Sequence, residues 1–122
     1  MPKVVVLSPS GLVRFRLKKE LWPRGFDVVE TDDCVGASKA VRDQHIDIVL
    51  IDACSTSSAG LNLVRRLKDD PAISRTPVLF LDDHVPAGDE GAVLLAAGAD
   101  GVVPRSDDFD ALAATLSLHM RR

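Results

Sequence analysis

Five times along this 122-residue chain a short run of apolar, mostly β-branched residues gives way to a longer segment whose apolar positions recur at helical spacing. That alternation is the pattern of successive βα units around a parallel sheet: strands buried on both faces need helices on each side, and the helices return the chain in parallel. Five such units in a chain of this length make a single domain, residues 1–122, with an α/β fold built on a doubly wound, five-stranded parallel sheet. Right-handed crossovers then put the functional crevice at the carboxyl ends of the strands.

The expected strands cover residues 3–7, 26–31, 46–52, 77–81 and 101–103. Ser10 is placed to cap a first helix through Leu12, Val13, Leu17 and Leu21, which Pro23 and Gly25 close. Asp32 or Asp33 caps a second, with a thin stripe of Val35, Ala37, Ala40 and Val41. After a small polar loop from Cys54 to Gly60, Leu61, Val64 and Leu67 mark a third helix closed by Asp70 and Pro71. The Ser55 to Ser58 run reads as a solvated loop capping that helix rather than as a modification site. A loop with Pro86 and Gly88 precedes an alanine-rich fourth helix ending at Ala97 and Gly98, and a fifth begins near Ser106 or Asp107 and carries Leu112, Leu116 and Met120.

The residues just past each strand are therefore those that can carry function: Ser8 and Pro9, Thr31 and Asp32, Asp52, Asp82 and Asp83, Pro104 and Arg105. Asp52 ends the apolar run Ile48, Val49, Leu50, Ile51, and a carboxylate there acts as a nucleophile that accepts phosphoryl, as a metal ligand, or as half of an ion pair. A net charge of −3 with scattered arginines argues against a nucleic-acid binder. No apolar run approaches the roughly 20 residues that span a bilayer, and the amino-terminal residues lack the long apolar core of a secretory signal. The expectation is a cytoplasmic chain, not a membrane protein, whose partner is another protein. Cys34 and Cys54 lack CxxC spacing and His45, His84 and His119 lie far apart, so the sequence assembles neither a zinc site nor a histidine-based catalytic constellation.

A second layer of residues is specific in combination. Arg14, Leu17, Leu21, Gly25, Phe26 and Val28 keep one spacing from the first helix into the second strand; Asp47, the run into Asp52, Gly60, Pro77 and the segment Ala97, Gly98, Ala99, Asp100 follow. Together they resemble the CheY-like receiver domain of two-component response regulators over essentially the whole chain. The resemblance implies a flavodoxin-like three-layer sandwich with strand order 2-1-3-4-5 and Asp52 at the phosphoacceptor position. It implies phosphorelay signalling with a histidine kinase or a downstream output protein as partner, and no enzyme beyond the domain's own phosphoryl transfer onto Asp52. It also points to the face of the fourth helix, fifth strand and fifth helix as a homodimer or output surface; the fourth helix, nearly all small and apolar, fits such a contact.

At the site itself the pattern departs from the family. Where a receiver carries an acidic pair for Mg²⁺ after the first strand, this chain has Ser8 and Pro9. Where it carries a Thr or Ser after the fourth strand it has Asp82; Val102 replaces the aromatic switch residue; and Arg105 followed by Ser106 replaces lysine and proline. Losing two anionic ligands weakens Mg²⁺ binding, on which phosphoryl transfer depends. The expectation is thus a pseudo-receiver with no cofactor, in which Asp52, Arg105 and Asp82 form an internal ion-pair cluster, Mg²⁺ belonging only to the phosphorylatable alternative. Against the cluster stand an Arg105 that faces solvent, and a metal held by Asp52, Asp82 and Asp83. Arg14, Arg16, Lys18 and Lys19 form a basic set that either steers an acidic partner or is simply a solvated face.

Overall fold

Val4, Val5 and Val6, and the run from Ile48 to Ile51, are completely buried, so their backbone groups must find partners in neighbouring strands. The computed structural model describes residues 1–52, 58–71, 73–82 and 96–120, without the side chains of 58–60 and 82. In it β1 (Lys3–Leu7), β2 (Asp27–Thr31), β3 (Ile48–Asp52), β4 (Val78–Asp82) and β5 (Gly101–Pro104) pair in parallel in the order β2-β1-β3-β4-β5. The crossovers use α1 (Gly11–Leu21), α2 (Cys34–Asp43) and α3 (Ser58–Asp69), and a C-terminal helix, Phe109–Met120, closes the chain. This is the expected doubly wound, three-layer α/β architecture.

Strand alternation divides the core in two. Val4, Val6, Ile48, Leu50, Leu79 and Leu81 face α1 and the C-terminal helix, meeting Leu17, Leu21, Leu112 and Leu116. Val5, Leu7, Val49, Ile51, Val78 and Phe80 face the other way, onto Ala37 and Val41 of α2 and Leu63, Val64 and Leu67 of α3.

The helix starts follow their caps. The Ser10 hydroxyl accepts from the Val13 N–H at 3.2 Å, and the Asp33 carboxylate from the Gly36 N–H at 2.6 Å. The C-terminal helix is capped by Asp108, which accepts from the Ala111 N–H at 3.0 Å, rather than by Ser106 or Asp107; the Ser106 hydroxyl instead accepts from the Asp108 N–H. Four other expectations shift. β3 begins at Ile48, because Asp47 is spent as a clip: its carboxylate accepts from the Lys3 N–H at 2.7 Å and its own N–H donates to the Lys3 carbonyl at 2.9 Å. α3 starts at Ser58, earlier than Leu61. Leu12 and Val35 are exposed, at 76% and 69%: Leu12 lies about 140° around α1 from Leu17, and Val35 about 160° around α2 from Ala37, so neither shares the buried face. The expected fourth helix and the loop before it lie outside the described residues, apart from Ala96 and Ala97.

Two glycines hold left-handed turns. Gly25, at φ 95°, ends the short 3₁₀ turn Trp22–Arg24, and Gly98 sits at φ 112° ahead of β5. A Cβ on Gly25 meets open space, whereas one on Gly98 would lie 2.8 Å from Lys68 Cγ, displacing the lysine that pairs with Asp100 at 3.0 Å and hydrogen-bonds the Thr76 carbonyl at 2.9 Å. Gly25→Ala should therefore cost about 1–2 kcal/mol, the strain of the backbone alone, and Gly98→Ala clearly more; urea unfolding that ranks them the other way would contradict this reading.

Candidate functional site

The register that pairs Leu7 with Ile51 carries Ser8, just past β1, beside Asp52, the last residue of β3, and alternation turns both towards α1 and the C-terminal helix. Both are buried, Ser8 completely and Asp52 to 4% exposure. The Ser8 hydroxyl donates to Asp52 Oδ2 at 2.7 Å and accepts from the Ser10 N–H at 3.1 Å. The same hydroxyl thus joins the N-cap of α1 to the carboxylate of β3. Arg105, just beyond β5, brings Nη2 against Asp52 Oδ1 in an ion pair. That oxygen takes no well-directed hydrogen bond among the described residues, so the contact is held by charge and proximity more than by hydrogen-bond geometry.

Moving a carboxylate out of water costs several kcal/mol unless a counter-charge and hydrogen bonds offset it. Ser8 supplies the hydrogen bond and Arg105 the charge. Arg105 is 37% exposed at its side chain, so solvent screens the pair and its strength falls short of that of a fully buried one.

Arg14, one of the residues whose spacing carries the receiver resemblance and a member of the basic set, does something more specific than either implies. Its guanidinium donates to the Ser8 carbonyl and lies 3.7 Å from Glu30, which Lys18 also approaches at 3.8 Å. Arg14 therefore pins the turn that presents Ser8 to Asp52. Arg16 pairs with Asp107 at 2.7 Å, so three members of the basic set are tied to acidic neighbours. The signal for Arg14 was its place one helical turn beyond the Ser10 cap, where a long side chain reaches back over the preceding loop.

The structure brings Asp52, Ser8 and Arg105 together. Pro9 is exposed beside them, and Val102 is half-buried in the second half of the core. The Asp82 backbone ends β4 in register with Pro104, while its side chain, like Asp83, Cys54 and residues 55–57, lies outside the described residues. Burial pushes the Cys34 thiol up, with Asp33 adding to the effect and Arg66 opposing it, which suits an unreactive packing residue. Mg²⁺ takes several oxygen ligands around a concentration of negative charge; here one carboxylate faces a guanidinium and a donating hydroxyl, and no group of three acidic, histidine or cysteine residues able to hold a metal occurs among the described residues. Among the described residues that donor set lacks the concentration of negative charge that Mg²⁺ takes.

The family model for the response regulator receiver domain matches residues 4–117. The chain belongs to that family. As a receiver domain it is 32% identical over 122 residues to the two-component response regulator PhoP of Pseudomonas aeruginosa, across 98% of this chain and 52% of that protein. It spans about half the length of the curated relatives it matches. Among solved structures, chemotaxis protein CheY4 of Vibrio cholerae superposes with a TM-score of 0.85 at 21% identity, covering 97% of this receiver and 98% of that chain. A response regulator from Thermotoga maritima gives 0.85 at 24% identity, covering 100% and 99%. These neighbours share the fold.

Removing the Ser8 hydroxyl should leave Asp52 Oδ2 without its donor. Ser8→Ala is expected to cost about 1.5–3 kcal/mol, the range for a hydrogen bond to a charged group, read from urea unfolding at neutral pH; a loss below about 0.5 kcal/mol would remove Ser8 from the site.

Proposed function

We propose that this receiver is an atypical one, in which the carboxylate at the phosphoacceptor position is neutralised from within and signalling runs through protein–protein contact rather than through an Mg²⁺-dependent phosphoryl adduct. The observation that carries the reading is the Asp52–Arg105 ion pair with Ser8 on the other carboxylate oxygen. An incoming phosphoryl group needs an Asp52 oxygen free to attack and a metal to spread the developing charge. Here one oxygen faces a cation, the other accepts a hydrogen bond from Ser8, and Ser8 with Pro9 replaces the acidic pair. A carboxylate at position 82, at the neighbouring strand end, adds negative charge that disfavours phosphate.

On this reading the domain is no enzyme and needs no cofactor. It works in the cytoplasm, where no described helix is long and apolar enough to cross a membrane, and its partner is a histidine kinase or a downstream output protein. The family's dimer and output face, fourth helix, β5 and C-terminal helix, is the proposed contact surface; Leu118, 69% exposed on the C-terminal helix, supports it. Concentration-dependent association in sedimentation experiments is expected, weakened by Leu118→Glu, and a strict monomer at millimolar concentration would count against a homodimer there.

A second reading keeps Asp52 phosphorylatable by a kinase phosphohistidine with Mg²⁺, and the retained carboxylate at a receiver's strand end favours it. Beryllofluoride or acetyl phosphate with Mg²⁺ separates the two. The proposal expects no adduct by intact-mass measurement and no shift of the Asp52 amide; a stable adduct that disappears in Asp52→Ala would establish the second reading.

A further inference from the structure

Between α1 and the C-terminal helix the protein leaves a cavity of about 390 Å³. Small-molecule sites have volumes of this order and mainly apolar linings. Val13 and Leu17 of α1, Leu81 and Val103 of the sheet, and Phe109 and Leu112 of the C-terminal helix make its wall, and it stays open because Ala111 and Thr115 are too small to fill it. Among the described residues four charged side chains also line it, two basic and two acidic, so the wall carries no net charge. Each is engaged by the protein itself. Arg16 holds Asp107 at 2.7 Å, Arg105 pairs with Asp52, and Asp108 accepts from the Ala111 N–H at 3.0 Å. The Thr115 hydroxyl donates to the Ala111 carbonyl at 3.0 Å, and the Ser106 hydroxyl accepts from the Asp108 N–H at 2.8 Å.

Two contacts join the sides of the cavity. The Arg16–Asp107 pair runs from α1 to the start of the C-terminal helix, and Arg24, paired with Asp110 at 2.9 Å, lies over the Phe109 ring, 5.8 Å from its centroid. The opening is therefore framed before any ligand arrives, as small-molecule sites usually are.

We propose that this cavity binds a small, neutral, mainly hydrocarbon molecule of one or two rings, seated against Leu17, Val103 and Leu112. A charged group would give up water there without gaining a counter-charge, because the charges on the wall are already matched. A neutral apolar body removes apolar surface from water and leaves the ion pairs intact. A rigid ring also loses less conformational freedom on binding than a flexible chain of the same size. Such a ligand touches both helices, so it binds the folded protein alone and stabilises the packing of α1 on the C-terminal helix.

The test is a titration of the ¹⁵N-labelled protein with indole, which is neutral, and with its charged relatives indole-3-acetate and tryptamine. Expected are saturable shifts of the Val13, Leu17, Val103 and Leu112 amides with indole, and no tighter binding of either the anion or the cation. Ala111→Trp, which puts an indole ring of the protein's own at the cavity, should weaken binding at least tenfold. Ala114→Trp, the same change at an exposed residue of the same helix that does not line the cavity, should leave the affinity within about twofold. No saturable shift, undiminished binding to Ala111→Trp, or an equal loss in Ala114→Trp would overturn the site. Tighter binding of indole-3-acetate or tryptamine would overturn the neutral class of ligand. Should Ala111→Trp fail to fold, nuclear Overhauser contacts from indole to the Leu17 and Leu112 methyl groups decide the matter, and their absence overturns the proposal.

Discussion

A carboxylate taken almost wholly out of water at the end of a buried strand is a large electrostatic liability, and the arrangement around Asp52 answers it. Asp52 is 4% exposed; its two oxygens meet a hydroxyl from one strand end and a guanidinium from another. Neither partner is local in sequence, Ser8 lying 44 residues away, so the site exists only when β1, β3 and β5 lie in the observed order. Arg14 and Glu30 extend it outwards, fixing the Ser8 turn to α1 and to β2. The charge of one buried residue thereby ties together the carboxyl edge of the sheet.

The same geometry shapes the chemistry. In a phosphate-accepting site the aspartate would face a metal and an open crevice, and the protein's fixed charges would serve the incoming group. Here the positive charge is part of the fold and already stands against the carboxylate. An arginine in place of a lysine matters for this, because its charge is permanent and its planar fork can engage two anionic groups at once.

The architecture was readable because each strand is a run whose burial has one solution: the valines of β1 and the Ile48 to Ile51 run can only be central, and Ser10 and Asp33 announce their helices by capping chemistry. Edges were less legible. The third strand, expected from Ile46, starts at Ile48 because Asp47 is a clip on Lys3, and the last helix, expected from near Ser106 or Asp107, starts at Phe109 because Asp108 takes the cap; local hydrogen-bonding competition is settled by the geometry of the incoming loop. Asp52 and Arg105 could be brought together from strand-end positions alone. Ser8 read as an absence of charge, and its role as a donor to Asp52 needed the parallel register of β1 against β3. Arg14 stood in a charge-rich helix face, one turn beyond the Ser10 cap; that spacing allows a long side chain to reach back over the loop, and the structure shows that it does so onto the Ser8 carbonyl.

The internal neutralisation of Asp52 is most directly tested by a double-mutant cycle in urea at neutral pH with Asp52→Asn, Arg105→Gln and the pair combined. Partial exposure of Arg105 places the coupling below that of a fully buried pair, and a favourable interaction energy of about 1–2 kcal/mol is predicted. The double variant should be more stable than Arg105→Gln alone, since it leaves no uncompensated charge inside. A coupling indistinguishable from zero, with Arg105→Gln costing nothing, would contradict the account.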